Sequence, residues 1–149
     1  MEPIMIVPIL RAGLALADLA TSILRSTRTF HLGMSRDETT LLPSVYLNKL
    51  PDRFPKGCNI LLVDPMLATG GTVTAAVDLV KERGAEISQI RIVIIVMQIS
   101  AVAAPPAIKK LNQRFPGICV YTGTMDQIVN EKGFIVPGLG DAGDRSYGT

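Results

Sequence analysis

The sequence predicts an α/β protein with a mostly parallel central sheet flanked by helices. Three observations carry this expectation. Apolar, β-branched runs at Asn59–Val63 and Ile90–Met97 lack polar alternation, as strands buried on both faces do. Between such runs lie segments with apolar residues at i, i+3, i+4 and i+7, the spacing of one helix face. Gly, Pro and Thr cluster where the predicted strands end, as loops over a sheet edge require.

Taken in order, Ile4–Ile9 reads as a strand, followed by Leu10-Arg11-Ala12-Gly13. A helix comes next, with Leu16, Leu19, Ala20, Ile23 and Leu24 on one face. Thr29–Met34 alternates Phe30, Leu32 and Met34 and predicts a half-buried strand, and Ser44–Asn48 a second extended piece. Leu50–Gly57 holds two prolines and reads as a loop. Asn59–Val63 is a fully apolar strand ending on Asp64. The next helix starts near Thr72, buries Val73, Ala76, Val77 and Val80, and stops at Gly84, a natural C′ glycine. After the strand Ile90–Met97, Pro105 and Pro106 suit the first turn of a helix reaching Arg114. Ile118–Thr122 and Phe134–Val136 are the last strands, and Pro137–Arg145 reads as a Gly-rich loop.

With 149 residues the chain fits a single domain of ordinary size, residues 1–149, with no linker and no repeat. Hydrophobic residues at 48% and charged ones at 19% exclude a disordered tail. A net charge of +2, spread along the chain, argues against a nucleic-acid binder. The mean hydropathy of +0.34 is high, yet the longest apolar run, Ile92–Met97, ends at Gln98. A membrane span needs roughly 20 apolar residues, so none is expected. The apolar excess therefore points to a buried sheet, an interface, or both. Cys58 and Cys119 have no metal-ligand spacing and read as reduced thiols of a soluble intracellular protein. His31, the one histidine, falls opposite the apolar face of its strand and reads as solvated or core-edge. Tyr46 and the methionines read as packing.

In open α/β sheets the ligand sits beyond the carboxyl ends of the strands. The richest loop there is Val63-Asp64-Pro65-Met66-Leu67-Ala68-Thr69-Gly70-Gly71-Thr72. Two glycines let the backbone wrap an anion, a helix N-terminus adds partial positive charge, and Thr69 and Thr72 offer hydroxyls. This is a phosphate cradle. It lacks the lysine of a Walker A loop and the spacing of a dinucleotide loop, so a sugar monophosphate fits better. Asp64 stands where it can accept hydrogen bonds from sugar hydroxyls. The same residues also suit a plain strand-to-helix turn, with Thr72 as N-cap and Asp64 as a turn residue.

That loop resembles the phosphoribosyl pyrophosphate (PRPP) signature of uracil phosphoribosyltransferases. Pro8-Ile-Leu-Arg11-Ala-Gly13 is similar to the family's pyrophosphate loop, and Ser35-Arg36-Asp-Glu-Thr39 to the segment carrying its second arginine. Ile135-Val-Pro-Gly-Leu-Gly140-Asp141-Ala142-Gly-Asp144-Arg145 is similar to its uracil-binding tail. Leu47-Asn-Lys-Leu-Pro51 and Gly143-Asp-Arg-Ser-Tyr-Gly-Thr149 resemble the plant and cyanobacterial branch.

The resemblance implies a type I phosphoribosyltransferase fold and the joining of uracil N1 to ribose C1 of PRPP, giving UMP and pyrophosphate. It implies that Arg11 and Arg36 bind pyrophosphate through their planar donor forks, with a non-proline cis peptide near Arg11–Ala12. Residues 64–72 (Asp64, Pro65, Met66, Leu67, Ala68, Thr69, Gly70, Gly71 and Thr72) would hold the phosphoribosyl group, with Asp141 also facing PRPP. Main-chain atoms of Ile135, Gly140 and Ala142 would read the uracil edge, and Asp141 would help orient or deprotonate N1. Catalytic duties fall to Asp64, Arg11, Arg36 and Asp141. Because Pro65 stands where other phosphoribosyltransferases carry a second acid, Mg²⁺ would be held mainly by PRPP oxygens and water. The resemblance allows GTP as an effector, a homodimer or higher homo-oligomer, and a cytoplasmic or plastid location.

The chain departs from the family pattern at two places. Family chains begin well before the position of Val7, so a leader supplying a helix, extra sheet and dimer contacts is expected to be missing. The stretch Ile92–Pro106 reads as a few residues longer than the family pattern, within a core strand. These departures leave an alternative open: a non-catalytic PRPP- or UMP-binding partner or regulatory subunit of the same fold.

Overall fold

The computed structural model describes residues 2–24, 26–37, 39–40, 42–94, 102–131, 134–137 and 140–149. The expected lengthening of the strand after Ile94 falls on residues 95–101, outside the described residues.

The apolar run at the start becomes β1 (Ile4–Leu10), and Gly13 opens α1 (Gly13–Ile23) directly behind it. Gly13 is required here, because a Cβ would fall well inside contact distance of the Val63 carbonyl oxygen. The core face of α1 is Gly13, Leu16 and Ala17, with Ala20 partly buried; Ile23, expected inside, is 66% exposed. The apolar stripe is centred one residue earlier than its leucines suggest.

The single strand expected at Thr29–Met34 is two strands, β2 (Thr27–Thr29) and β3 (Leu32–Arg36). They are split where the Phe30 N–H bonds the Ile6 carbonyl and the His31 carbonyl accepts from Lys49 N–H. Both run parallel to β1, β2 along its first half and β3 along its second. β4 (Pro43–Asn48) returns antiparallel to β3 as an edge strand. β5 (Asn59–Val63) lies beside β1, and a two-residue strand, β6 (Met66–Leu67), interrupts what reads as pure loop.

α2 (Gly71–Glu82) follows, with Val73, Ala76, Val77 and Val80 buried as their spacing predicts. Gly84 ends it at φ 81°, a left-handed value that favours glycine. β7 (Ile90–Ile94), β8 (Val102–Ala103) and α3 (Pro105–Arg114) come next, with the two prolines in the first turn of α3. β9 (Cys119–Thr122), β10 (Thr124–Met125), β11 (Ile128–Val129) and β12 (Ile135–Val136) are the last strands. The Gly-rich tail, expected as loop, forms α4 (Ala142–Tyr147).

Among the described residues the main sheet runs β4-β3-β1-β5-β7-β9, with β2 beside β1, and only the β3–β4 pairing is antiparallel. β6, β8 and β10 form a small parallel sheet, and β11 and β12 an antiparallel pair. One face of β5 and β7 (Ile60, Leu62, Ile90, Ile92, Ile94) packs against α2 and α3; Ile6 and Val63 pack against Leu16 and Ala17 of α1 on the other. This two-sided burial explains the unbroken apolar runs. Cys58 is buried and Cys119 exposed, both as free thiols. No helix among the described residues is long and apolar enough to cross a membrane.

Candidate functional site

At the carboxyl ends of β1, β3 and β5 a cleft of about 170 Å³ opens. Its floor begins where β5 stops. Asp64 donates its N–H to the Val93 carbonyl at 3.3 Å and accepts the Met66 N–H on Oδ1 at 3.3 Å. This Asx turn carries the chain over buried Pro65 into β6. β6 is then fixed by pairing with β8 and by the Ala104 N–H on the Leu67 carbonyl at 2.9 Å.

Gly70 caps α2 at φ 74°, so the chain can wrap back on itself there. A Cβ on Gly70 would also lie 3.3 Å from Ala107, leaving no easy room for a side chain beneath α3. The Thr74 hydroxyl and N–H both bond the Gly70 carbonyl, at 2.6 and 2.9 Å, which pins this corner. The hydroxyl of Thr69 accepts a long contact, 3.5 Å, from the Gly71 N–H. The N–H groups of Gly71, Thr72 and Val73 belong to the first helical turn, where no intrahelical acceptor exists. With the dipole of α2 behind them they suit an anion. Thr72 is inside the helix, so Gly70 and not Thr72 is the N-cap.

Burial pushes the Asp64 carboxyl up to about 7, against the weaker downward pull of the Met66 N–H. Near neutral pH Asp64 can therefore donate or accept a hydrogen bond. A cation or a set of hydroxyls brought to this floor would favour its carboxylate form.

Arg36 reaches the cleft from the end of β3. Asp37 does not hold it, because Asp37 Oδ1 already accepts the Thr40 N–H (2.7 Å), the Thr40 hydroxyl (2.9 Å) and the Thr39 N–H (3.0 Å). Those bonds keep the Asp37 carboxyl below the usual range. Among the described residues Arg36 makes no ion pair.

Arg11 differs. Its peptide bond to Leu10 is cis, one bond earlier than expected, and Val136–Pro137 is cis as well. Its neighbour Ala12 lines the cleft, whereas its own guanidinium pairs with Asp144 Oδ1 at 2.8 Å and donates to the Thr149 hydroxyl at 3.2 Å.

The tail supplies the opposite wall with Asp141, Ala142 and Gly143. Asp141 Oδ1 caps α4 by accepting the Asp144 N–H at 2.9 Å. Ile135 is buried beside Ala104, and Gly140 is exposed at φ 76°. Of the expected residues, Arg36, Asp64, Met66, Leu67, Ala68, Thr69, Gly70, Gly71, Thr72, Asp141 and Ala142 line one cleft. Arg11 stands at its rim, while Pro65, Ile135 and Gly140 lie off its wall. Ala12, Val73, Phe134 and Gly143 also line it and were not among the expected site residues. Phe134 stood next to an expected base-reading residue, and its aromatic ring was the available signal.

A second cleft, larger at about 290 Å³, lies at the opposite end of the strands among Lys56, Asn59, Gln89 and Arg91. Its Gln89 amide is already spent on the Pro55 and Cys58 carbonyls. It has no helix N-terminus from a long helix and sits at the amino ends of the strands. Chemistry, not volume, selects the first cleft.

The family model described as Uracil phosphoribosyltransferase matches residues 1–149. The chain is 65% identical over 148 residues to a Nicotiana tabacum protein named uracil phosphoribosyltransferase, 99% of this chain and 63% of that one. It is 64% identical to the Arabidopsis thaliana protein named uracil phosphoribosyltransferase, chloroplastic, covering 99% of this chain and 48% of that one. A Synechocystis protein of the same enzyme name is 53% identical, with 99% and 65% covered. The chain thus spans about half to two thirds of the length of these relatives. Among solved structures, an Aquifex aeolicus protein is similar with a TM-score of 0.86 and 37% identity, covering 98% of this chain and 65% of that one. A purine phosphoribosyltransferase from Pyrococcus horikoshii shares the fold, with a TM-score of 0.58 and 20% identity over 83% of this chain and 68% of that one.

Proposed function

Because the chain belongs to the uracil phosphoribosyltransferase family, we propose that it transfers the 5-phosphoribosyl group of PRPP to uracil, giving UMP and pyrophosphate. The observation that carries this reading is the α2 start. Gly70, in left-handed backbone, turns the N–H groups of Gly71, Thr72 and Val73 onto a cleft whose floor is the Asp64 carboxyl. A 5′-phosphate on those N–H groups would set the ribose over Asp64, which accepts from its hydroxyls. Arg36 and Arg11 then take the pyrophosphate. The C1–O bond to pyrophosphate breaks with its electron pair leaving on pyrophosphate, the N1–C1 bond forms, and the N1 proton is released. Charge grows on the leaving pyrophosphate, so two guanidinium forks in a partly closed cleft stabilise the transition state more than the substrate.

The base would lie against the tail. Main-chain N–H, C=O and N–H groups of Ile135, Gly140 and Ala142 complement the acceptor, donor, acceptor edge of uracil. Cytosine inverts two of those positions and leaves a buried group unpaired, which rejects it strongly. Asp141 would orient or deprotonate N1. Mg²⁺ would enter on PRPP oxygens and neutralise phosphate charge. The donor set fits that arrangement: Asp64 is the one acid at the cradle, Pro65 follows it, and Mg²⁺ keeps water and phosphate ligands readily.

The relatives' names favour the transferase over a non-catalytic PRPP- or UMP-binding subunit. A homodimer or higher homo-oligomer of this one-domain chain is supported by the edge strand β4, which exposes Val45 and Tyr46; sedimentation analysis tests it. A plastid location is the reading that the Arabidopsis relative's name favours, tested by imaging a fluorescent fusion of the whole gene product. GTP control rests on the family resemblance and is tested by turnover with and without GTP.

The decisive test of activity is UMP formation from labelled uracil, PRPP and Mg²⁺. Asp64→Asn and Arg11→Ala are each expected to cost at least about tenfold. Near-native rates in both would sink the proposal, and PRPP binding without turnover would favour the binding subunit.

A further inference from the structure

Arg11 and Arg36 enter the same proposed role from different states. Arg36 lines the cleft with no ion pair among the described residues, whereas Arg11 is already engaged outside it. The engagement is a closed triangle. Arg11 Nη2 meets Asp144 Oδ1 at 2.8 Å, Arg11 Nη1 donates to the Thr149 hydroxyl at 3.2 Å, and that hydroxyl donates to Asp144 Oδ1 at 3.2 Å.

The tail is shaped to make this triangle. Asp141 caps α4 through the Asp144 N–H, which fixes where the Asp144 side chain starts. Gly148, at φ 70°, gives its N–H to the Asp144 carbonyl at 2.7 Å and turns the chain so that Thr149 folds back onto Asp144. The guanidinium passes close to Gly143: a Cβ there would lie in ordinary contact with it, 3.7 Å from Arg11 Nη2, and tight against the capping Asp141 Oδ1 at 3.1 Å.

A carboxylate and a pyrophosphate compete for one guanidinium edge, and the pair is half exposed, at 53% and 47%. A pair of that kind is weak enough to be exchanged on ligand binding. We propose that Asp144 is a positioning residue that holds Arg11 at the rim in the ligand-free protein and yields it to the pyrophosphate group of PRPP. α4 also carries Ala142 and is capped by Asp141, so the exchange links the pyrophosphate side of the cleft to the tail side. This inference rests on the reading of Arg11 as a pyrophosphate ligand.

The test is calorimetric titration of pyrophosphate into the whole chain, as wild type, Asp144→Asn, Arg11→Gln and the double variant. Asp144→Asn keeps the side-chain size and leaves the cap, which uses the backbone N–H. It is expected to tighten pyrophosphate binding about two- to fivefold, the strength of an exposed ion pair. Asp144→Ser, which removes the carboxylate outright, is expected to act in the same direction. In turnover the KM for PRPP falls without a rise in kcat. With Arg11→Gln present, the effect of Asp144→Asn is expected to vanish, because the carboxylate acts only through Arg11. Unchanged or weaker binding in both Asp144 variants overturns the proposal. Equal tightening in the Arg11→Gln background does so too, since it reflects only the loss of a nearby negative charge. If Arg11→Gln itself leaves pyrophosphate affinity unchanged, the ligand reading of Arg11 fails first and this inference with it. If Arg11→Gln weakens binding and the Asp144 variants do not tighten it, only the exchange fails.

Discussion

The cradle wall of the cleft and the rim beside the cleft are built by opposite means. The cradle wall is one contiguous stretch, Asp64 to Val73, whose binding groups are backbone N–H donors fixed by a left-handed glycine and a helix start. The rim joins Arg11 to Asp144 and Thr149, partners 133 and 138 residues apart, through exposed side chains outside the cleft's own lining. Under the proposed reading the cradle is ready before ligand arrives, and Arg11 must give up a carboxylate to act. Preorganised donors lose no partner on binding, while an occupied guanidinium exchanges one anion for another.

Gly70→Val breaks the ready wall and carries the largest expected effect. A β-branched residue at positive φ, with its Cβ 3.3 Å from Ala107, costs about 1–3 kcal/mol of stability. Ribose 5-phosphate binding is expected to fall at least about tenfold, since the first-turn N–H groups lose their aim. Thermal unfolding and calorimetry read the two effects.

Arginine deletions sharpen the comparison. Arg36→Ala is expected to weaken pyrophosphate binding more than Arg11→Ala, because only Arg11 gives up a carboxylate to engage it. Equal losses would make the Arg11–Asp144 pair irrelevant to binding.

Asp64 sets a pH test at the cradle floor. Its folded value of about 7 lies above the ordinary carboxyl value of 3.8. The folded protein therefore holds the extra proton between those values, and the stabilisation from this group is lost as pH rises from 3.8 through 7. Asp64→Asn is expected to raise the ligand-free Tm at pH 8 more than at pH 5 while lowering UMP formation. A Tm gain that is the same at both pH values would contradict the buried, raised carboxyl.

The smallest effect belongs to a pair away from both cradle and rim. Asp52 sits 3.7 Å from Arg83 and is fully exposed, so Asp52→Asn is expected to leave turnover unchanged and Tm nearly so.

This contrast also explains what the sequence made legible. β5, the cradle and α2 were readable because strand, turn and helix follow one another, and each step has a local cause: β-branching, an Asx turn, a left-handed glycine. The mostly parallel sheet, covered on both faces, followed from the same buried runs, whereas its strand order is set by pairings between distant segments. α4 was not readable, since Ala-Gly-Asp-Arg-Ser-Tyr has little helix propensity. It is held by the Asp141 cap and by Arg11, whose pairing no local pattern encodes. The split at Phe30–His31 was hidden for a similar reason: β1 offers its two halves to two strands, and only the assembled sheet requires the break.

The most direct test of the central claim is to watch backbone amides by NMR while ribose 5-phosphate is added to the whole chain. The largest shifts are expected at Gly71, Thr72 and Val73, with Asp64→Asn reducing affinity but leaving the same amides responsive. Largest shifts at Lys56, Asn59 and Gln89, in the larger cleft at the other end of the strands, would contradict it.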